Sequence, residues 1–229
     1  MDRELSKKIY DKKTIDKIDK KILLLGSSKL NAVSFLNKRL ISSVIIFIAS
    51  LYIFKYGYII APLITIIYYY LFEKVSLDDK LKQRKIKLED EAIYFFEVLS
   101  LSLETGRNLE EAITVTIESV DSEISNEFKN MLREIKFGKS LNESLTDMQK
   151  RIPSEEINNI ILSLTESNIF GSSIISNISN QIEYLREKRR LEMKAEISKL
   201  PIKISVVSVF FFIPLILLII IGPVILSYV

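Results

Sequence analysis

The residues with most capacity for chemistry in this chain are two acidic runs and one basic run. Glu89-Asp90-Glu91 and Glu110-Glu111 gather carboxylates that suit a hard cation or a docking surface. Such runs also serve as solvated faces or complements to a helix dipole. Arg186, Lys188, Arg189 and Arg190 gather cations some 14 residues before the last apolar stretch, about 20 Å along a helix. That distance suits a protein partner or solvent better than lipid headgroups. The chain has no His and no Cys, which removes zinc sites, Cys or His nucleophiles and haem ligation by either. Composition leaves only a carboxylate metal site open. The phosphate-binding Gly-x-x-x-x-Gly-Lys pattern, the His-Glu-x-x-His pattern and the Ser-x-x-Lys pair are all missing. A net charge of +3 without interleaved aromatics argues against nucleic acid. The expectation is a protein that is not an enzyme and carries no metal and no cofactor.

The elements that must hold these residues are helices, three of them in a membrane. Ile204 to Val229 carries no charge, and its 26 residues exceed the roughly 20 that cross a hydrocarbon core. Leu40 to Phe72 is broken only by Lys55, and as one helix it would extend about 50 Å. It is therefore either one tilted over-long span or a hairpin turning at Lys55-Tyr56-Gly57. Residues 1–39 hold eleven Lys or Arg against five acids, and a second basic flank follows residue 73. Basic flanks stay on the cytoplasmic side, which favours the hairpin. The resulting expectation is an all-α integral membrane protein with three transmembrane helices and a cytoplasmic antiparallel helical bundle. Its parts are a basic amphipathic segment (1–39), a membrane hairpin (40–72), the bundle (73–203) and a final span (204–229). The N-terminus lies inside and the C-terminus outside. No signal peptide is expected, because the first apolar run begins past residue 40. Ile15, Ile18, Ile22 and Leu25 recur at helical spacing, with Gly26 as a stop. That helix either lies on anionic lipid or packs on the soluble module.

Helix starts repeat through the bundle. Leu88, Ala92, Phe95, Leu99 and Leu103 form a buried stripe, begun by a cap within Ser76-Leu-Asp-Asp79 and closed by Gly106. Then Gly106-Arg-Asn108-Leu109-Glu-Glu111-Ala112 is echoed by Gly138-Lys-Ser140-Leu141-Asn-Glu143-Ser-Leu145, and loosely from Gly171. Gly ends one helix, Asn108 or Ser140 caps the next, and Glu111 or Glu143 completes a capping box. Pro153-Ser154 marks another start. Two good copies are too few for a solenoid, so a compact bundle is expected. A last soluble helix runs from about Ser172 to Lys199, with a stripe of Ile174, Ile178, Ile182 and Leu185. Pro201 bends the path into the final span. Ser42, Ser43, Ala49 and Ser50 offer a small-residue face for helix packing.

This ordered set resembles the type II secretion F domain, found in the inner-membrane platforms of type II secretion, type IV pili, tight-adherence pili and archaeal flagella. The resemblance rests on LEDEAIYFFEVLSLSLETGRNLEEAI, FGKSLNESL, LTESNIFG ending at Gly171, the basic helix, and Pro214 with Gly222-Pro223 in the last span. It covers roughly residues 40–225. A single copy is most similar to TadC- or TadB-type subunits of tight-adherence systems. The resemblance implies four partners: a hexameric secretion ATPase, a paralogous subunit or second copy, pilin subunits and the lipid bilayer. It makes Glu89, Asp90, Glu91, Glu110 and Arg186 to Arg190 a candidate partner interface. Pro201, Pro214, Gly222 and Pro223 become candidates for coupling to the membrane. A membrane-anchored interaction or regulatory protein, and then a small transporter subunit, are the alternatives. The spans hold no acidic residue for a transport path.

The charge bias predicts labelling from outside the cell. A single cysteine at position 2 or 120 should resist a membrane-impermeant thiol reagent in intact cells, and one replacing Val229 should react. Labelling at position 120 would reverse the orientation.

Overall fold

The computed structural model describes residues 10–26, 31–53, 57–170 and 174–226. Every element among them is helical: α1 (Lys12–Leu24), α2 (Ala32–Ile53), α3 (Gly57–Glu73), a π turn (Lys74–Asp78), α4 (Asp79–Glu104), α5 (Leu109–Ser119), α6 (Glu123–Lys136), α7 (Leu141–Gln149), α8 (Glu155–Phe170), α9 (Ile174–Ser198) and α10 (Leu200–Leu226). The chain divides into two compact units, residues 1–182 and 183–229.

Three helical runs are long and apolar enough to cross a membrane, lying within Ala32–Ile53, Tyr58–Glu104 and Ile175–Ile221. The first two pack as an antiparallel pair. Phe35 at the start of α2 meets Phe72 at the end of α3, their rings 5.5 Å apart. Arg39 Nη1 donates to Glu73 Oε2 at 2.7 Å, and its guanidinium lies 4.0 Å over the Tyr69 ring. The over-long helix is thereby excluded in favour of two helices side by side. Of the turn expected between them, Gly57 opens α3, while Lys55 and Tyr56 lie outside the described residues. Ser43 and Ser50 are buried in this pair, and their hydroxyls donate to the carbonyls of Leu40 and Phe47. Ala49 is exposed, so only part of the small-residue face is used inside the hairpin.

The cap expected at Ser76 to Asp79 does not form. Asp78 keeps helical angles and makes no side-chain cap bond. The chain passes from α3 through the π turn into α4 without a break, so α3 and α4 form one mast from Gly57 to Glu104. The reason is tertiary. Leu77 is buried, and Asp78 pairs with Lys21 Nζ at 2.7 Å. Both residues serve the contact with α1 rather than the start of a helix.

That contact also decides the role of α1. Ile18 and Ile22 are buried with Ala32, Phe35, Leu36 and Leu77, and Ile15 and Leu25 pack at the edge. The apolar face is therefore turned mainly into protein, with Leu23 exposed beside it. Tyr10 Oη donates to Leu36 O at 3.1 Å, Lys21 reaches Glu73 and Asp78, and the Leu24 carbonyl accepts from Arg84. The C-terminal end of α1 thus meets the mast at two levels, Lys21 at Glu73 and Asp78 and the Leu24 carbonyl at Arg84.

Below the hairpin, α5, α6 and α8 pack on α4, with α7 between α6 and α8. The expected stripe is the core: Leu88, Ala92, Phe95 and Leu99 are fully buried and Leu103 nearly so. Phe128 of α6 stacks on Phe95 at 4.6 Å and meets Phe96 edge-on at 5.9 Å. Gly106 and Gly138 take φ of 84° and 97°, the left-handed C′ geometry at the ends of α4 and α6. Asn108 Oδ1 accepts from Glu111 N at 2.9 Å. At Ser140 and Glu143 the capping box is complete. The third start, at Gly171, lies outside the described residues.

In the second unit, α9 ends at Ser198, one residue short of the expected limit, and α10 begins at Leu200. Pro201 sits in the first turn of α10, where a missing N–H leaves no helical bond unmade. The break falls at Lys199, and Pro214 and Pro223 lie within the helix that follows.

Two substitutions test these assignments. Gly106→Val should cost about 1 kcal/mol or more, because a β-branched residue resists positive φ. Nothing lies within 4 Å of a Cβ there, so the cost is backbone strain alone. Leu109→Ala should cost about 2–5 kcal/mol, as a buried leucine does. Thermal melts of the detergent-solubilised protein measure both. A Leu109→Ala protein that melts like the parent and fails in assembly would make Leu109 an interface residue.

Candidate functional site

The polar interior of the bundle converges on Arg84. Its position on the inner face of α4 buries the side chain to 8% exposure, so its N–H groups need acceptors from the protein. They come from three separate places. Nε donates to Glu123 Oε1 and Nη2 to Glu127 Oε1, both at 2.7 Å and both from α6. Nη1 donates to the carbonyl of Leu24 at the end of α1 and to that of Arg151, at 2.8 Å, beyond α7. Gly26 makes room for this: a Cβ there would stand 2.8 Å from Nη2, and its φ is 63°.

The network continues outward. Arg151 pairs with Glu127 at 3.3 Å and Glu134 at 2.9 Å. Glu134 meets Lys139 at 2.6 Å, and Lys139 reaches Asp147 at 3.0 Å, which also holds Lys150 at 2.7 Å. Burial raises the Glu123 pKa, but hydrogen bonds from Arg84 and Lys87 outweigh it and hold the carboxyl below the usual range. Glu134 is lowered in the same way, its burial outweighed by Lys139 and Arg151. At the exposed end, Lys150 and then Lys139 hold Asp147 at about 2.

The acidic run on α4 does not form one surface. Glu89 is 3% exposed, accepts from Ser154 Oγ at 2.7 Å and pairs with Lys85. Glu91 Oε2 accepts from the backbone N–H groups of Glu123 and Ile124 at 2.7 and 3.3 Å, capping α6 from outside. Asp90, between them, is exposed, as is Glu110 in the first turn of α5. Glu89 and Glu91 are thus corrected from docking candidates to internal fasteners, because a helix turns them onto faces that α8 and α6 cover. Ala112 and Leu145 are fully buried, and Leu141 is half-buried.

On α9, Arg186 pairs with Glu183 and Arg190 with Glu187, while Lys188 and Arg189 both reach Glu192. These are pairs one turn apart at 3.5–3.9 Å, and Arg186 and Arg190 keep about half or more of their side chains exposed. Gly222 falls within α10, and the side chain of Pro223 lies outside the described residues. No group of three or more metal-ligating side chains occurs among the described residues.

Sequence alone gives neither Arg84 nor Gly26 this shared role. Arg84 is one cation in a basic flank, and only its burial distinguishes it. Gly26 reads as a helix stop, and the second demand on it, space for a guanidinium from 58 residues away, leaves no local mark.

Residues 95–222 match the family model for the type II secretion system, protein F. The match covers more than half of the chain and runs from the aromatic core on α4 into α10. The chain belongs to the type II secretion system protein F family. It is thereby a membrane platform protein of a secretion or pilus system. Neither the comparison with curated proteins nor that with solved structures found a match. In this member of the family, the node at Arg84 lies just ahead of the matched region and fastens it to α1. The arrangement joins α1 and the α4 mast, which continues from the membrane hairpin, to the polar bundle.

Replacing Arg84 by Met should destabilise the protein by about 3 kcal/mol, because Glu127, 10% exposed, would lose its 2.7 Å partner and keep only the 3.3 Å bond from Arg151. The pH dependence should change too. Carboxyls lowered by folding contribute stability that is full above their unfolded pKa and lost as pH falls through the folded value. The parent should lose melting temperature as pH falls below about 5, the ordinary carboxylate range, and Arg84→Met should show a shallower slope there. Equal slopes would mean that Arg84 does not hold Glu123 ionised.

Proposed function

We propose that this protein is a single-domain platform subunit of a tight-adherence or related type IV pilus machine, of the TadC or TadB kind. It carries motion from a cytoplasmic ATPase to pilin in the membrane. The observation that supports this best is the unbroken mast: α3, the π turn and α4 run from a membrane-crossing pair into the bundle without a flexible linker. A helix is stiff along its axis, and Arg84 adds a second tie through α1, so displacement of the bundle reaches the hairpin. The second route is α9 into α10, interrupted only at Lys199. Lys199 N donates to Glu196 O and Lys203 N to Lys199 O, both at 3.2 Å, so hydrogen bonding continues across the break.

The basic flanks support an inner-membrane protein with its N-terminus and bundle in the cytoplasm and its C-terminus outside. On that side of the membrane Asp90 and Glu110, and on α9 Arg186 and Arg190, are exposed charges that suit contact with a hexameric ATPase. The working unit proposed is a pair, of this protein with itself or with a paralogue. Exposed apolar side chains along α10 suit lipid and such a neighbour.

The test is an insertion. About ten Gly-Ser residues placed after Lys199 form a coil with a mean span of about 16–19 Å. Protein level, membrane insertion and ATPase association should stay normal while pilin export stops. Pili assembled at the parental rate by the insertion mutant would show that the bundle is only a docking site.

A further inference from the structure

The outer face of α6 carries cations that the Arg84 network does not use. Lys129, Arg133 and Lys136 follow one another at spacings of four and three, which places them on one stripe, and all three are exposed. Arg84, Lys85, Lys87, Lys139, Lys150 and Arg151 each take part in an ion pair. Lys129, Arg133 and Lys136 are in none among the described residues. Arg133 and Lys136 complement the dipole at the end of α6, but Lys129 stands too early for that. Like charges one turn apart weaken a helix, so the stripe has a cost that folding alone does not explain.

The three cations line an open groove of about 400 Å³ between α5 and α6. Half-buried Ile117 and Leu132 give it an apolar part, and Glu118 is the one acid in its lining. Phe137, next after Lys136, is 84% exposed. An apolar strip flanked by cations on one side is the complement of a helix with a mixed acidic and apolar face.

We propose that this groove docks an acidic amphipathic helix of a protein partner on the bundle's side of the membrane. Carboxylates spaced at four and three would oppose Lys129, Arg133 and Lys136. Apolar side chains between them would meet Ile117, Leu132 and Phe137. Glu118 repels acids from the α5 wall and so fixes which way the helix faces. Anionic lipid is out of reach. Glu123, where α6 begins, is held by Arg84, twelve residues and about 18 Å past Phe72, while charge is screened within about 8 Å. The inference needs only the groove, so it can fail while the platform reading stands.

The full-length protein in detergent is titrated into a fluorescein-labelled helical peptide of about four turns, carrying Glu and Leu at the complementary spacings. A second peptide has Gln in place of each Glu. Anisotropy should show the Glu peptide binding at least about tenfold more tightly than the Gln peptide, as expected for three screened ion pairs. Reversal of all three cations, K129E/R133E/K136E, should remove that preference, with thermal melts confirming that the variant is folded. The milder Lys129→Gln should lose part of it, and high salt should weaken binding of the Glu peptide to the parent. Equal binding of the two peptides overturns the proposal, as does a folded triple variant that keeps the preference. Tighter binding of a single-stranded RNA oligonucleotide than of the Glu peptide would also overturn it, in favour of nucleic acid.

Discussion

A buried guanidinium cannot shed its charge, so every group around Arg84 must serve it. Arginine stays protonated at any working pH, and an unpaired cation in a protein interior costs several kcal/mol. Two carboxylates on α6 and two backbone carbonyls, one from α1 and one from beyond α7, meet that demand. Because the acceptors come from elements far apart in sequence, the side chain is satisfied only when all of them are in place. The residue therefore ties three separate packing choices into one. Gly26 follows from it, since a side chain at that turn would enter the guanidinium.

The same economy governs the other helices. Glu91 supplies from α4 the cap that α6 would otherwise need from its own N-terminal residue, in addition to the bond that Ser122 makes to Ser125 N. Glu89 does similar work for the start of α8 through Ser154. At the top of the bundle Glu73 takes Lys21 and Arg39 together, joining α1, α2 and the mast where the hairpin begins. Aromatic packing fills the space between these ties: Phe95, Phe96 and Phe128 are fully buried against one another. Apolar burial supplies most of the driving force, and the ion pairs decide which helix meets which.

For a platform protein this division has a mechanical meaning. The unbroken path from Gly57 to Glu104 leaves no hinge where the membrane pair meets the bundle, and α1 braces it from the side. Departure from regular α geometry is confined there to the π turn, five residues whose one buried side chain, Leu77, faces α1. The remaining break, at Lys199, is a single residue. On the platform reading proposed above, motion that reaches the bundle would pass to the membrane helices rather than be absorbed between them.

Sequence by itself determined the helical class, the apolar runs, the core stripe on α4 and the glycine stops with their caps. These are local properties: each depends on spacing, φ or a side chain three residues away. The family, too, was legible, because its features lie in short ordered segments. Tertiary structure decided the rest. Which face of α1 met protein depended on Leu77 and Phe35, distant in the chain. Ser76 to Asp79 read as a helix start because Ser and Asp cap helices in general, yet the pull of Lys21 and the burial of Leu77 kept the mast continuous. Glu89 and Glu91 looked like surface charge because acidity is visible in sequence and partnership is not. Arg84 was hidden for the same reason: its role is a sum of contacts from three places in the chain, and no single one of them is written near residue 84.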